Sequence, residues 1–188
     1  MTAAMRLPSG FPGQRFMDDG AGGRLPPETP RLRLVLPAPE HRAAHEAFCA
    51  SPRSNVAMAE QATDHFDALL NHHDLLGYGP FVAVTREGNE AIGVFGPWNL
   101  DSQPDPELVF LLWNASHEGR GLAFEASVST RSFAHWVLGW RTAVSYVSDG
   151  NHRATGLAMR LGALRDGTWR TPAGTILQVW RHPDPEAA

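Results

Sequence analysis

The sequence predicts a mixed α/β fold, an α+β arrangement built on one sheet. Alternating or continuous apolar runs mark seven short strands, and apolar residues at helical spacing mark four helices. Three of the strands follow one another with no helix between them, which excludes a doubly wound parallel sheet. The predicted order is β-α-α-β-β-β-α-β-α-β-β.

Residues 1–28 are punctuated by Gly10, Gly13, Gly20, Gly22 and Gly23 and by Pro8, Pro12, Pro26 and Pro27, with no apolar period of 2 or 3.6. They read as a flexible tail that Phe11, Phe16 and Met17 could dock. The folded domain is expected over 29–185. Leu32, Leu34 and Leu36 alternate with Arg31, Arg33 and Val35, a strand with one buried face that Pro37 and Pro39 end. Residues 39–50 (PEHRAAHEAFCA) form a helix. A second helix opens at or near Asp64, with Phe66, Leu69 and Leu70 on one face, and Gly77, Gly79 and Pro80 stop it. Phe81–Thr85 and Ala91–Phe95 are strands joined through the tight turn at Glu87–Asn89. A polar, Pro-rich connection, 96–106, leads to ELVFLLW (107–113), which is apolar on both faces and therefore central. A long helix with Leu122, Ala126, Phe133, Trp136 and Trp140 on its apolar face comes next. Then come a strand (141–147), a short helix (151–161) ended by Gly162, and two closing strands at 163–165 and 175–181.

The chain has 188 residues, 43% hydrophobic and 19% charged, enough for one full core without metal or disulfide support. The net charge of -4 argues against a general nucleic-acid binder. No run of 18 apolar residues offers a membrane span, and no secretory leader is visible, so a cytoplasmic location is expected. All 16 basic residues are arginine, which excludes lysine nucleophiles. The single cysteine, Cys49, excludes an intrachain disulfide and reads as a small buried residue.

The most informative stretch is ELVFLLWNASHEGRGLAFE (107–125). A buried strand ends, a polar turn follows, and Gly119-Arg120-Gly121 opens the long helix. Backbone N–H groups at a helix start lack partners within the helix and, with the helix dipole, favour an anion. Glycines there let a phosphate approach without a Cβ in the way. Alone, Gly-x-Gly before a helix is also an ordinary strand–helix turn. Asn151 reads as the cap of the short helix.

Two segments in register resemble the GNAT acyltransferase superfamily. Glu118-Gly119-Arg120-Gly121-Leu122-Ala123 is similar to its Gln/Arg-x-x-Gly-x-Gly/Ala motif, with Glu118 standing where Gln or Arg is usual. SYVSDGNHRATGLAMRLGA (145–163) is similar to its next strand and helix, with Asn151, Leu161, Gly162 and Ala163 in place. The strand at 29–34, the run 77–98 and the closing strand 176–183 resemble the RimJ/RimL-like, ribosomal-protein-type branch. The resemblance covers about residues 29–183. It implies a three-layer α/β/α fold whose central, mostly antiparallel sheet splays at the cofactor site. It implies acetyl-CoA as co-substrate, with its diphosphate on the backbone of Gly119, Arg120, Gly121, Leu122 and Ala123. Its pantetheine arm would lie along Leu111, Leu112 and Trp113 and against Asn151.

The implied chemistry is direct transfer of acetyl to a primary amine, on a protein N-terminus or a small molecule. That reaction needs a base for the amine and a proton for the departing thiolate. Glu107, at the start of the central strand, is the candidate base, and burial would raise its pKa toward neutrality. It could equally be a solvent-facing strand-edge charge. The acid is harder to place. Ala154 stands where that branch tends to have Ser, and Ala158 and Met159 fill the turn where other members have Tyr. Thr155 is the candidate, pointing about 100° round the helix from Ala154, and Tyr146 is unassigned. The alternative is a catalytically weak CoA- or acyl-CoA-binding protein with a sensing or interaction role. Homodimers occur in that superfamily, and the sequence leaves the oligomeric state open.

No metal is expected. His41 and His45 lie one helical turn apart and His72, His73 and Asp74 are adjacent, but no third ligand has metal-site spacing. These histidines read as surface residues of two helices. His117 precedes the phosphate turn, and Trp98, in the loop before the central strand, would border an acceptor pocket.

Overall fold

A computed structural model describes residues 26, 28–54, 62–99 and 103–184. Most of the expected tail, and the middle of the 96–106 connection, lie outside the described residues. Seven strands form one sheet in the order β1-β2-β3-β4-β5-β7-β6. They are β1 (Leu32–Val35), β2 (Phe81–Thr85), β3 (Ala91–Trp98), β4 (Glu107–Leu112), β5 (Val144–Ser148), β6 (Leu164–Arg170) and β7 (Ile176–Arg181). The helices are α1 (Arg42–Cys49), α2 (Ala62–Leu76), α3 (Leu122–Trp136) and α4 (His152–Arg160). Element order agrees with the expected one throughout the described residues.

Alternation along the strands builds three layers. Phe81 and Ala83 of β2 pack with Leu122, Ala126 and Phe133 of α3 on one face. Val82 and Val84 pack with Phe48 and Cys49 of α1 and Phe66 and Leu69 of α2 on the other. The β2–β3 ladder shifts register at Ile92, a bulge that lets Ile92 face α3 while Val94 faces α1 and α2. Val147 of β5 packs on Ala158 of α4, so α4 shares the α3 face.

Every neighbouring pair of strands is antiparallel except β4 and β5, which run parallel. These two pair only at Glu107↔Val144 and then diverge toward their C-terminal ends. At the closed end the Ser145 hydroxyl replaces a ladder bond. It donates to the Leu108 carbonyl at 2.6 Å and accepts from His182 Nε2 at 2.9 Å.

Several boundaries differ from the sequence reading. β3 runs on through Gly96 and Pro97 to Trp98, because these residues pair with Val109, Leu108 and Glu107. α3 ends at Trp136 rather than reaching Trp140. Gly139 turns the chain with φ 72°, and His135 Nδ1 holds the Trp140 carbonyl at 2.8 Å. Trp136 and Trp140 are therefore half-buried at the helix end and not central core. β6 is an exposed edge strand of seven residues with a bulge between Arg165 and Thr168.

Candidate active site

The divergence of β4 and β5 opens a cleft of about 440 Å³. Its floor is Phe95 of β3 and Phe110, Leu111 and Leu112 of β4. One side is the turn of Glu118, Gly119, Gly121, Leu122 and Ala123; the other is Asn151, Ala154, Gly156 and Leu157 at the start of α4. Gly119 and Gly121 have φ of 71° and 76°, a backbone that side-chain-bearing residues resist, and Gly121 caps α3 in that conformation. Successive amides in this turn can converge on an anion. A Cβ at Gly119 would meet nothing within 4 Å, so the turn is open on that side.

The turn is braced from far away in sequence. Arg31, just before β1, donates from Nε and its backbone N–H to the two carboxylate oxygens of Glu125, at 2.6 and 2.8 Å. Its Nη1 donates to the Arg120 carbonyl at 2.7 Å. The Glu125 carboxyl is held below the usual carboxylate range by the Arg31 hydrogen bonds and charge, which outweigh its partial burial. Sequence reading missed Arg31; the only local signal was a charge at a strand start.

Asn151 caps α4, its Oδ1 accepting from Ala154 N–H at 3.1 Å, and it also lines the cleft. One of the residues expected along the cofactor lies elsewhere. Trp113 packs beside His45 with the α1–α2 core and lines a separate hollow of about 950 Å³ on that face. The Arg120 side chain turns to His117 Nδ1 at 3.3 Å, leaving its backbone in the turn. Thr155 is not among the cleft residues. Ala154, Gly156 and Leu157 occupy that face of α4, and Thr155, one step round the helix, faces away from it.

Glu107 sits at the closed end of the split, beside Trp98 on β3 and Val144 on β5. It is partly buried, and burial is the largest influence on its carboxyl, pushing the pKa up to about 7 against the lowering effect of Gln103 and the Tyr146 backbone amide. Gln103 Nε2 donates to it at 2.6 Å. Alternation along β5 puts Tyr146 on the same face as Val144. The Tyr146 phenol is held protonated to a pH above its ordinary value, chiefly by burial.

Three of these four histidines are not surface residues, and the fourth, His73, is half-buried. His41, His45 and His72 are buried. His45 stacks on His65 with Nε2 and Nδ1 3.0 Å apart, and His72 stacks on Trp98 at 4.6 Å. Among the described residues no group of three possible ligands is placed to hold a metal ion. His117 is buried between Glu90, at 3.1 Å, and Arg120, and it lines the cleft.

Burial and neighbouring cationic groups push the His45 pKa down to about 4 and the His182 pKa down to about 3. In the unfolded chain both rings take up protons near pH 6.5. The stability they contribute is complete above pH 6.5 and is lost as pH falls through the two depressed values. The expected loss is about 1.4 kcal/mol per pH unit for each ring. A calorimetric melting temperature that stays flat from pH 6.5 down to 4 would contradict this.

The sequence profile described as an acetyltransferase (GNAT) domain matches residues 31–164. An acetyltransferase of Agrobacterium tumefaciens strain C58 is 30% identical, with 96% of this chain and 99% of that chain covered and a TM-score of 0.74. A GNAT-family acetyltransferase of Bacillus anthracis shares the fold at 12% identity, TM-score 0.65, over 85% of this chain and 98% of its own. So does a ribosomal-protein-S5-alanine acetyltransferase of Vibrio fischeri, at 13% identity, TM-score 0.65, over 86% and 98%. The chain belongs to the GNAT acetyltransferase family and is an N-acetyltransferase. Among the described residues no helix is long and apolar enough to cross a membrane.

Proposed function

We propose that this enzyme takes acetyl from acetyl-CoA and passes it directly to a primary amine, on a protein N-terminus or a small molecule, in the manner of the ribosomal-protein-type branch. One observation carries this reading. The split between β4 and β5 holds a carboxylate of near-neutral pKa, Glu107, at its closed end and opens into a cleft lined by an anion-accepting turn. The catalytic domain is assigned to 29–185. The backbone from Gly119 to Ala123 would take the diphosphate, and the floor of Leu111 and Leu112 with Asn151 would take the pantetheine arm.

Glu107 accepts the proton that the amine loses as its nitrogen attacks the thioester carbonyl. The C–S bond then breaks and the thiolate takes a proton. Tyr146, whose backbone hydrogen-bonds Glu107 at the closed end of the split, is assigned as its donor; no hydroxyl of α4 lines the cleft. The lack of an α4 hydroxyl also supports a second reading, a protein that binds acyl-CoA and transfers slowly.

Calorimetric titration and thermal shift with acetyl-CoA test the common part. Ligand at one hundred times its Kd is expected to stabilise the fold by about 2.7 kcal/mol. An amine panel then separates the two readings: turnover supports transfer, and tight binding without turnover supports the second. No shift at millimolar acetyl-CoA would overturn both.

A further inference from the structure

Glu118 stands at the first position of the phosphate turn, where a carboxylate would repel a diphosphate. It does not turn out to solvent. It ion-pairs with Arg53, in the turn after α1, and with Arg153 Nε at 3.1 Å on the first turn of α4. All three side chains line the cleft. Arg53 also donates from Nη2 to the Leu112 carbonyl at 3.1 Å. Trp113 N–H points to β3, so the Leu112 carbonyl points the other way, to the edge of β4 that β5 leaves bare. Arg53 thus reaches into the split itself. Its Nε is buried without a partner, a donor left over by its two acceptors.

Glu118 is the one carboxylate among the described residues lining the cleft, against Arg53, Arg153 and Arg160. Arg160 is engaged over the Phe124 ring at 4.8 Å. One carboxylate therefore holds two guanidiniums and cancels one of their charges. A diphosphate bridge carries two negative charges and more acceptor oxygens, so it matches the pair better than Glu118 does.

We propose that Glu118 is a displaceable internal counter-ion, and that Arg53 and Arg153 are ligands for the anion that the turn takes. This rests on the reading of the cleft as a diphosphate site. The anion competes with Glu118 for both arginines, and Glu118 sets how tightly it is held. The carboxylate keeps two cations ordered across the mouth of the cleft and at the same time weakens the site, which favours release.

Calorimetric titrations with acetyl-CoA and, separately, with sodium pyrophosphate test this on the wild type, Glu118→Gln, Arg153→Gln and the double variant. Removing the competing charge is expected to tighten both ligands about fivefold in Glu118→Gln and to steepen the salt dependence. Arg153→Gln, at an exposed side chain, is expected to weaken both by about the same factor. The gain from Glu118→Gln shrinks in the Arg153→Gln background. Equal or weaker pyrophosphate binding by Glu118→Gln would overturn the proposal, as would a gain independent of Arg153 or no pyrophosphate binding by any variant. Acetyl-CoA failing on every variant while pyrophosphate binds Glu118→Gln more tightly would overturn the acetyl-CoA reading and keep the counter-ion.

Discussion

Glu107→Gln is expected to lower kcat/KM by roughly a hundredfold to ten-thousandfold, the usual range for removing a positioned general base. The same change is expected to make the protein more stable at pH 8. The Glu107 pKa rises from an ordinary 4.5 to about 7 in the fold because the charged form is desolvated. The folded state therefore holds this proton more firmly than the unfolded chain does. Protonated in both states below pH 4.5, the group costs nothing there. The cost grows between pH 4.5 and 7 and is complete above, at about 3 kcal/mol. Glutamine keeps an acceptor for Gln103 and carries no charge. The wild-type rate should rise with an apparent pKa near 7, and the difference in melting temperature between the two proteins should vanish at acid pH. Unchanged activity in Glu107→Gln would remove the residue from the mechanism.

The second large effect is at Gly121. Valine there must adopt φ near 76°, which costs about 1–2 kcal/mol, and its Cβ would come to 3.4 Å from Arg31 Nη2. It also adds a side chain at a glycine that lines the cleft. Acetyl-CoA binding is expected to fall more than about a hundredfold, since an anion site at a helix start needs close backbone approach. Gly139→Val is the control. Gly139 has φ 72°, a Cβ there would meet nothing within 4 Å, and the residue lies outside the cleft. It should cost similar stability and leave binding intact. Equal binding by both variants would show that the turn does not hold the ligand.

The parts of this protein written in local chemistry were readable. The strand, glycine turn and helix start of 107–125 announce themselves because a left-handed backbone asks for glycine and a helix start asks for a cap. Asn151 was readable for the same reason. Trp113 was misplaced although alternation from Glu107 puts it on that residue's face, toward α1 and α2. Thr155 was the best hydroxyl by elimination, and helix phase turns it away. Arg31 with Glu125, and Arg53 with Glu118, are separated by 94 and 65 residues. Only the folded topology brings such pairs together, and nothing in their neighbours marks them. The buried histidines misled for a related reason. Imidazole looks polar in a sequence, yet stacked on Trp98 or His65 it serves as packing.

Cys49 is 1% exposed, lies 3.7 Å from His45 Nε2, and has its thiol pKa raised by burial. It is the only thiol in the sequence. Reactive thiolate at the surface is therefore absent near neutral pH. With acetyl-CoA as the proposed donor, a colorimetric thiol reagent added to a running reaction would count the sulfur set free by each turnover and leave the enzyme unlabelled. A cysteine introduced on an exposed position could likewise carry a dye or spin label at a single site, with the native residue left in place.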